Sequence, residues 1–148
     1  MPLRIPIPAV LFGRKTSVGR PVSDFLQPGY EVIHFIASPE AAHTELPLLL
    51  AGRDPQAKQP NDIGTHVYDI SPRVLVFGRG YSPDFVEELR KAYGRNTRDP
   101  LAWVAGDPAT APTLPLPPGY PELVARDVKA ALASWKDEGG VKDAFILY

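Results

Sequence analysis

Ala9-Val10-Leu11-Phe12-Gly13-Arg14-Lys15-Thr16-Ser17-Val18-Gly19-Arg20-Pro21-Val22 is the stretch on which the fold turns. An apolar run stops at a glycine, a short basic and polar loop follows, and a second glycine opens a helical pattern. A strand that hands over to a helix in this way aims free backbone N–H groups at the loop, which is how α/β folds hold phosphate. Val10, Leu11 and Phe12 are apolar without alternation, as in a strand covered on both faces. Val18, Val22, Phe25 and Leu26 then share one side of a helix. Pro21 is expected in its first turn, where N–H groups lack intrahelical partners, and Pro28-Gly29 ends it.

Working outward, residues 30–36 are rich in β-formers and read as a second strand. Ser38-Pro39-Glu40 starts a helix, with serine as N-cap, proline at the first position and an acid in the first turn. Pro47 is expected to kink or end that helix, leaving Leu48 to Gly52 as a short apolar continuation. Residues 53–62 form a polar loop, and residues 65–70 are a candidate short strand. Val-Leu-Phe-Gly-Arg at 10–14 is echoed by Val-Leu-Val-Phe-Gly-Arg at 74–79, which predicts two parallel strands ending at one edge of a sheet. Ser82-Pro83-Asp84 repeats the helix start, Phe85, Val86, Leu89 and Tyr93 form its stripe, and Gly94 is its expected stop. Residues 101–105 make another strand ending at Gly106-Asp107. Six prolines follow from Pro108 to Pro121 inclusive. Pro121-Glu122 then opens a last helix facing inward through Leu123, Val124, Val128, Ala131, Leu132 and Trp135. Gly139-Gly140 closes it before a final strand at residues 143–148.

Strands alternating with helices predict a single α/β domain over residues 1–148. Its architecture is a three-layer, doubly wound, mostly parallel sheet of five or six strands, Rossmann-like or flavodoxin-like. At 148 residues, with 44% hydrophobic and 22% charged residues, the composition is ordinary globular. The formal net charge of −1 argues against a nucleic-acid partner, whose phosphates need a basic surface. No apolar run reaches the roughly 18 residues of a membrane span. The three prolines among the first eight residues suit neither a signal peptide nor a transit helix, so a cytoplasmic location is expected. Zero cysteines exclude disulfides and thiolate chemistry.

In open parallel sheets, ligands bind beyond the carboxyl ends of the strands, where strand order reverses. Three strand ends here join glycine to a polar or charged group: Gly13-Arg14-Lys15-Thr16, Gly78-Arg79-Gly80 and Gly106-Asp107. If they are neighbours, Arg14, Lys15 and Arg79 converge on one rim suited to an anion. Other constellations fail. Arg14 stands where a phosphate-binding Walker loop needs glycine, and there is no Gly-x-Ser-x-Gly elbow, so Ser17 serves as a helix-start donor. His34, His43 and His66 lack zinc-ligand spacing. His34 alternates with Val32 and Ile36 and reads as a buried, hydrogen-bonded residue; Trp103 and Trp135 read as core. Asp107 is a candidate acid or base only if the loop after it forms a lid.

Residues 10–22, with Gly29-Tyr30-Glu31-Val32 and Ser38-Pro39-Glu40, resemble the opening of atypical, NmrA-like short-chain dehydrogenases. Gly13 matches the first glycine of that family's motif and Gly19 the last, with Thr16 at the middle position. The resemblance implies a nucleotide held by Gly13, Arg14, Lys15, Thr16, Ser17 and Gly19, with Gly78 and Arg79 beside it. Ser38, helped by Arg14 or Lys15, implies NADP(H) rather than NAD. The family's catalytic tyrosine–lysine pair has no counterpart, since Tyr30, Tyr68, Tyr81, Tyr93 and Tyr120 all lack a lysine four residues on. Gly19-Arg20-Pro21 and residues 29–33 are also similar to small CoA-binding domains, which makes CoA the alternative cofactor. The expectation is a nucleotide-binding sensor or accessory protein with no catalytic pair and no metal. Its rival is a scaffold that works through protein contacts, with the terminal strand pairing across a homodimer.

Overall fold

A computed structural model describes residues 3–148. Six consecutive buried residues, Ile7–Phe12, form β1, the burial demanded of a central parallel strand. β2 (Tyr30–Ile36) lies on one side of it and β3 (Val74–Phe77) on the other. β4 (Ala102–Ala105) and β5 (Ala144–Leu147) complete an all-parallel sheet in the order β2-β1-β3-β4-β5. The order reverses between β1 and β3, and its succession is that of the flavodoxin-like doubly wound sheets.

Helices α1 (Thr16–Leu26) and α4 (Tyr120–Asp137) cover one face, and α2 (Pro39–Leu50) and α3 (Pro83–Tyr93) the other. Two apolar layers result. Leu11, Val22, Leu26, Val76, Val128 and Trp135 pack beneath the first pair of helices. Phe12, Ile33, Leu46, Phe77, Leu89 and Trp103 pack beneath the second. In the second layer Phe12 stacks on Phe77 with centroids 4.0 Å apart, and Phe77 on Trp103 at 6.3 Å. The three-layer α/β architecture expected from the alternation is therefore present, and both tryptophans are core residues.

Four local expectations need correction. Residues 65–70 form no strand. Gly64 at φ +94° and His66 at φ +59° break the extended path. The segment and the loop before it instead cover the free edge of β2: Thr65 N–H donates to Val32 O at 3.0 Å, His66 N–H to Ile33 O at 2.9 Å and Asn61 Nδ2 to Phe35 O at 3.1 Å. Pro47 does not end α2, which runs on to Leu50. Proline cannot donate to the His43 carbonyl one turn back, and the Tyr93 hydroxyl of α3 donates to that oxygen instead, at 3.2 Å. Helix α1 begins at Thr16, so Pro21 lies in its second turn and Gly19 is inside the helix rather than at its start. Gly94 does end α3, as expected, but with right-handed φ −80° rather than the left-handed geometry of a glycine cap, and it leads into a short 3₁₀ turn, Gly94–Asn96. Among the described residues, no helix is long and apolar enough to cross a membrane.

Candidate functional site

The parallel register pairs Phe12 with Phe77 and Val76 with Val104, which brings Gly13, Gly78 and Gly106 side by side at one edge of the sheet. Gly78 N–H donates to Phe12 O at 2.8 Å and Gly13 N–H to Ile36 O at 2.9 Å. The absence of side chains lets two arginines lie across these strand tips. A Cβ at Gly80 would sit 2.8 Å from Arg14 Cγ, and one at Gly106 2.7 Å from Arg79 Cγ.

Where the order reverses, on the α1/α4 side, a crevice of about 300 Å³ opens. Leu11 and Val76 form its floor, Val18 and Val22 one wall, and Val124 with Tyr120 the other, while Leu116 of the proline-rich loop reaches over it. Arg14, Lys15 and Arg79 stand at its mouth, and among the described residues no Asp or Glu lines it. Gly19 sets the depth: a Cβ there would lie 2.4 Å from Phe35 Cε1, so only glycine lets α1 pack this close to β2.

The cations differ in how committed they are. Arg14 Nη2 donates to Gly80 O at 3.1 Å, and its guanidinium lies 4.9 Å from the Tyr81 ring centre. Arg79 is a staple. Its Nη1 donates to Asp107 O at 2.7 Å, its Nη2 approaches Thr110 Oγ1 at 3.2 Å and Tyr148 O at 3.4 Å, and its guanidinium stacks over Tyr148. Lys15 is exposed and caps α1 with its backbone only. Helices α2 and α3, in contrast, are capped by Ser38 at 3.1 Å and Ser82 at 3.2 Å. Thr16 and Ser17 are exposed in the uncapped first turn.

Two tyrosines escaped the sequence-based reading. Tyr81 O–H donates to Gly13 O at 2.9 Å, and burial pushes its phenol up to about 12. Tyr148 O–H donates to Phe77 O at 2.9 Å and burial pushes it higher still. Together they close off the strand-tip carbonyls. Their position right after Gly78-Arg79-Gly80 and at the end of the β5 run was the available signal. The Asp107 carboxylate accepts the Ala109 N–H at 2.9 Å and caps the turn Pro108–Thr110, which is a structural task.

Ser38 stands apart from the crevice. It borders a second hollow of about 540 Å³ at the tip of β2, shared with Arg14, Glu45 and Lys58. Beneath that hollow His34, 3% exposed, lies 2.6 Å through Nε2 from Glu45 Oε1 and 2.8 Å through Nδ1 from the Tyr68 hydroxyl. Burial holds the His34 imidazole below its ordinary 6.5, although the Glu45 hydrogen bond pulls the other way. Burial also pushes Tyr68 up to about 12, helped by the carboxylates of Asp54 and Glu45. His34 is thus the buried, hydrogen-bonded residue its strand position predicted.

No protein-family model matches the chain, and no solved structure matches it. A curated protein of Aspergillus oryzae, Kojic acid related protein 6, is 34% identical over 136 residues, which cover 91% of this chain and 81% of that protein.

Proposed function

The chain belongs to the family of Kojic acid related protein 6, and from that premise and the crevice we propose that it binds a small molecule carrying an anionic group on an apolar body. Phosphate-bearing nucleotides are the ligand class, NADP(H) first and CoA as the alternative. One observation carries the proposal: Arg14, Lys15 and the uncapped start of α1 stand at the mouth of an apolar crevice that, among the described residues, no Asp or Glu lines. The first-turn N–H groups and the positive end of the helix favour an anion there. Lys15 adds a mobile point charge. The apolar walls reward burial of a ring or chain at about 25 cal/mol per Å².

About 300 Å³ is the lower end of the range for ligand sites. It takes one ring or a pantetheine-like arm, with the rest of a nucleotide lying across the start of α1 towards Arg14. On this reading the protein acts as a sensor or an accessory factor. Flavodoxin, whose sheet has this strand order, binds a flavin mononucleotide at the reversal, so FMN belongs in the test.

Isothermal titration with NADPH, NADH, CoA, FMN and kojic acid (the compound in the relative's name) tests the proposal. A phosphate-bearing ligand is expected to bind, and Lys15→Glu to weaken it about tenfold, or about 1.4 kcal/mol. Silence towards all five at millimolar ligand overturns it. So does binding of kojic acid alone with no dependence on Lys15. A second proposal, the scaffold, draws on Phe145 and Leu147, which are 37% and 44% exposed on β5 at the end of the sheet. Such an edge can pair with a second copy. A dimer in light scattering that dissociates in Leu147→Lys favours the scaffold, and a monomer removes it.

A further inference from the structure

The hollow at the tip of β2 has a chemistry of its own, and Glu45 is its pivot. A carboxylate only accepts hydrogen bonds, so His34 carries its proton on Nε2 and donates to Glu45 Oε1 at 2.6 Å. Nδ1 is then an acceptor and takes the Tyr68 O–H at 2.8 Å. This tautomer is assigned from the network. The chain of bonds runs in one direction, from Tyr68 through His34 to Glu45, and it ends on a carboxylate that lines the hollow.

Glu45 is 7% exposed. Among the described residues, no buried side-chain nitrogen or oxygen lacks a partner, and no donor reaches Oε2. Oε2 is therefore the atom open to the hollow. Here one oxygen is locked and oriented while the other is left for an outside donor.

The surrounding groups say what that donor is. Arg14 and Lys58 bring two positive charges to the rim, and Glu40 and Glu45 two negative ones, so the hollow selects no net charge. Ala37 and Ala41 supply apolar surface, while Thr44, Gln59 and Asn61 supply hydroxyl and amide groups. Ser38 Oγ accepts the Ala41 N–H and keeps its own proton to donate. Apolar surface with acceptors and donors at its margin, and no net charge, suits a ring that is apolar on its face and hydroxylated around its edge.

We propose that this hollow is a binding site for a neutral, polyhydroxylated small molecule of sugar-ring size, with Glu45 Oε2 accepting one of its hydroxyl groups. The site lies apart from the crevice, although Arg14 borders both.

Amide chemical shifts followed during titration with D-glucose, myo-inositol and, as an anionic comparator, citrate test this. Saturable shifts at Ser38, Ala41, Thr44 and Asn61 are expected with a neutral probe below about 10 mM, ten times a millimolar dissociation constant. Glu45→Gln keeps an oxygen for His34 but turns an NH₂ to the hollow, and should weaken binding at least about tenfold. Lys58→Glu, at an exposed loop position that does not threaten the fold, should weaken it about threefold by exchanging an ammonium that can donate to hydroxyl oxygens for a carboxylate that cannot. If Glu45→Gln fails to fold, Lys58→Glu decides. No saturable shift with either neutral probe, binding unchanged in the variants that fold, or a preference for citrate overturns the proposal.

Discussion

The crevice between α1 and α4 and the hollow beside α2 lie at the same edge of one sheet, share Arg14, and offer opposite chemistries. The crevice is apolar inside and cationic at its mouth, because the loops after β1 and β3 contribute glycine, arginine and lysine and no acid. The hollow is half polar and balanced in charge, because α2 turns Glu40 and Glu45 into it. Their supports differ as well. Carbonyl oxygens and tyrosine rings steady the arginines of the crevice, whereas a buried histidine steadies the carboxylate of the hollow. Two faces of one doubly wound sheet can therefore present different sites from adjacent strand tips, since each face is lined by its own pair of helices.

Gly19→Val should have the largest effect and should break the separation. Its Cβ would already meet the Phe35 ring at 2.4 Å, and overpacking a buried contact of this kind costs about 3 kcal/mol. Phe35 also borders the hollow, so thermal unfolding should shift down and both binding titrations should suffer; a variant as stable as the parent would show that α1 has room to move. Arg79→Ala comes next. It removes donors to Asp107 O and Tyr148 O at about 2 kcal/mol. Hydrogen exchange should quicken at the Asp107 amide and leave the hollow untouched; equal loosening around His34 would mean that the two regions are coupled.

Tyr68→Phe sharpens the comparison from the other side. It leaves His34 Nδ1 without its donor at about 1 kcal/mol, read in urea unfolding, with no change at the crevice. The smallest effect is a slope. His34 is depressed below 6.5 in the folded chain by burial, with Glu45 from α2 and Asp54 from the loop opposing and His66 adding to the depression. On acidification through 6.5, the unfolded chain takes up a proton that folded His34 refuses, so stability declines as pH falls and levels off once folded His34 itself protonates. Urea midpoints at pH 7 and pH 5 should show the decline, and His34→Gln should flatten it. A parent protein whose midpoint rises towards acid would reverse the assignment.

Most elements were legible from residues 10–22 outward, because apolar runs, Ser-Pro helix starts and glycine at strand ends are local signals. The errors were local signals overruled at a distance. Pro47 was expected to kink or end α2, but the helix runs on to Leu50, and Tyr93 of α3 supplies a donor to the carbonyl that proline leaves free. Residues 65–70 have strand-like composition, yet the β2 edge they cover accepts hydrogen bonds from Asn61, Thr65 and His66 without requiring a ladder. Phe25, expected on the buried side of α1, is 44% exposed on the outer seam beside Leu123.

By itself, the sequence determined the α/β class, the strand tips at Gly13, Gly78 and Gly106, and the buried state of His34, since periodicity and turn chemistry act within a few residues. Only the tertiary structure decided that Arg79 is spent on main-chain oxygens, that Ser38 belongs to a hollow apart from the crevice, and that Glu45, eleven residues along the chain from His34, completes a chain of hydrogen bonds with Tyr68. Those partnerships join residues from different elements. Which face of the sheet each helix covers, and so which side chains meet, follows from strand order and packing rather than from any local run of residues.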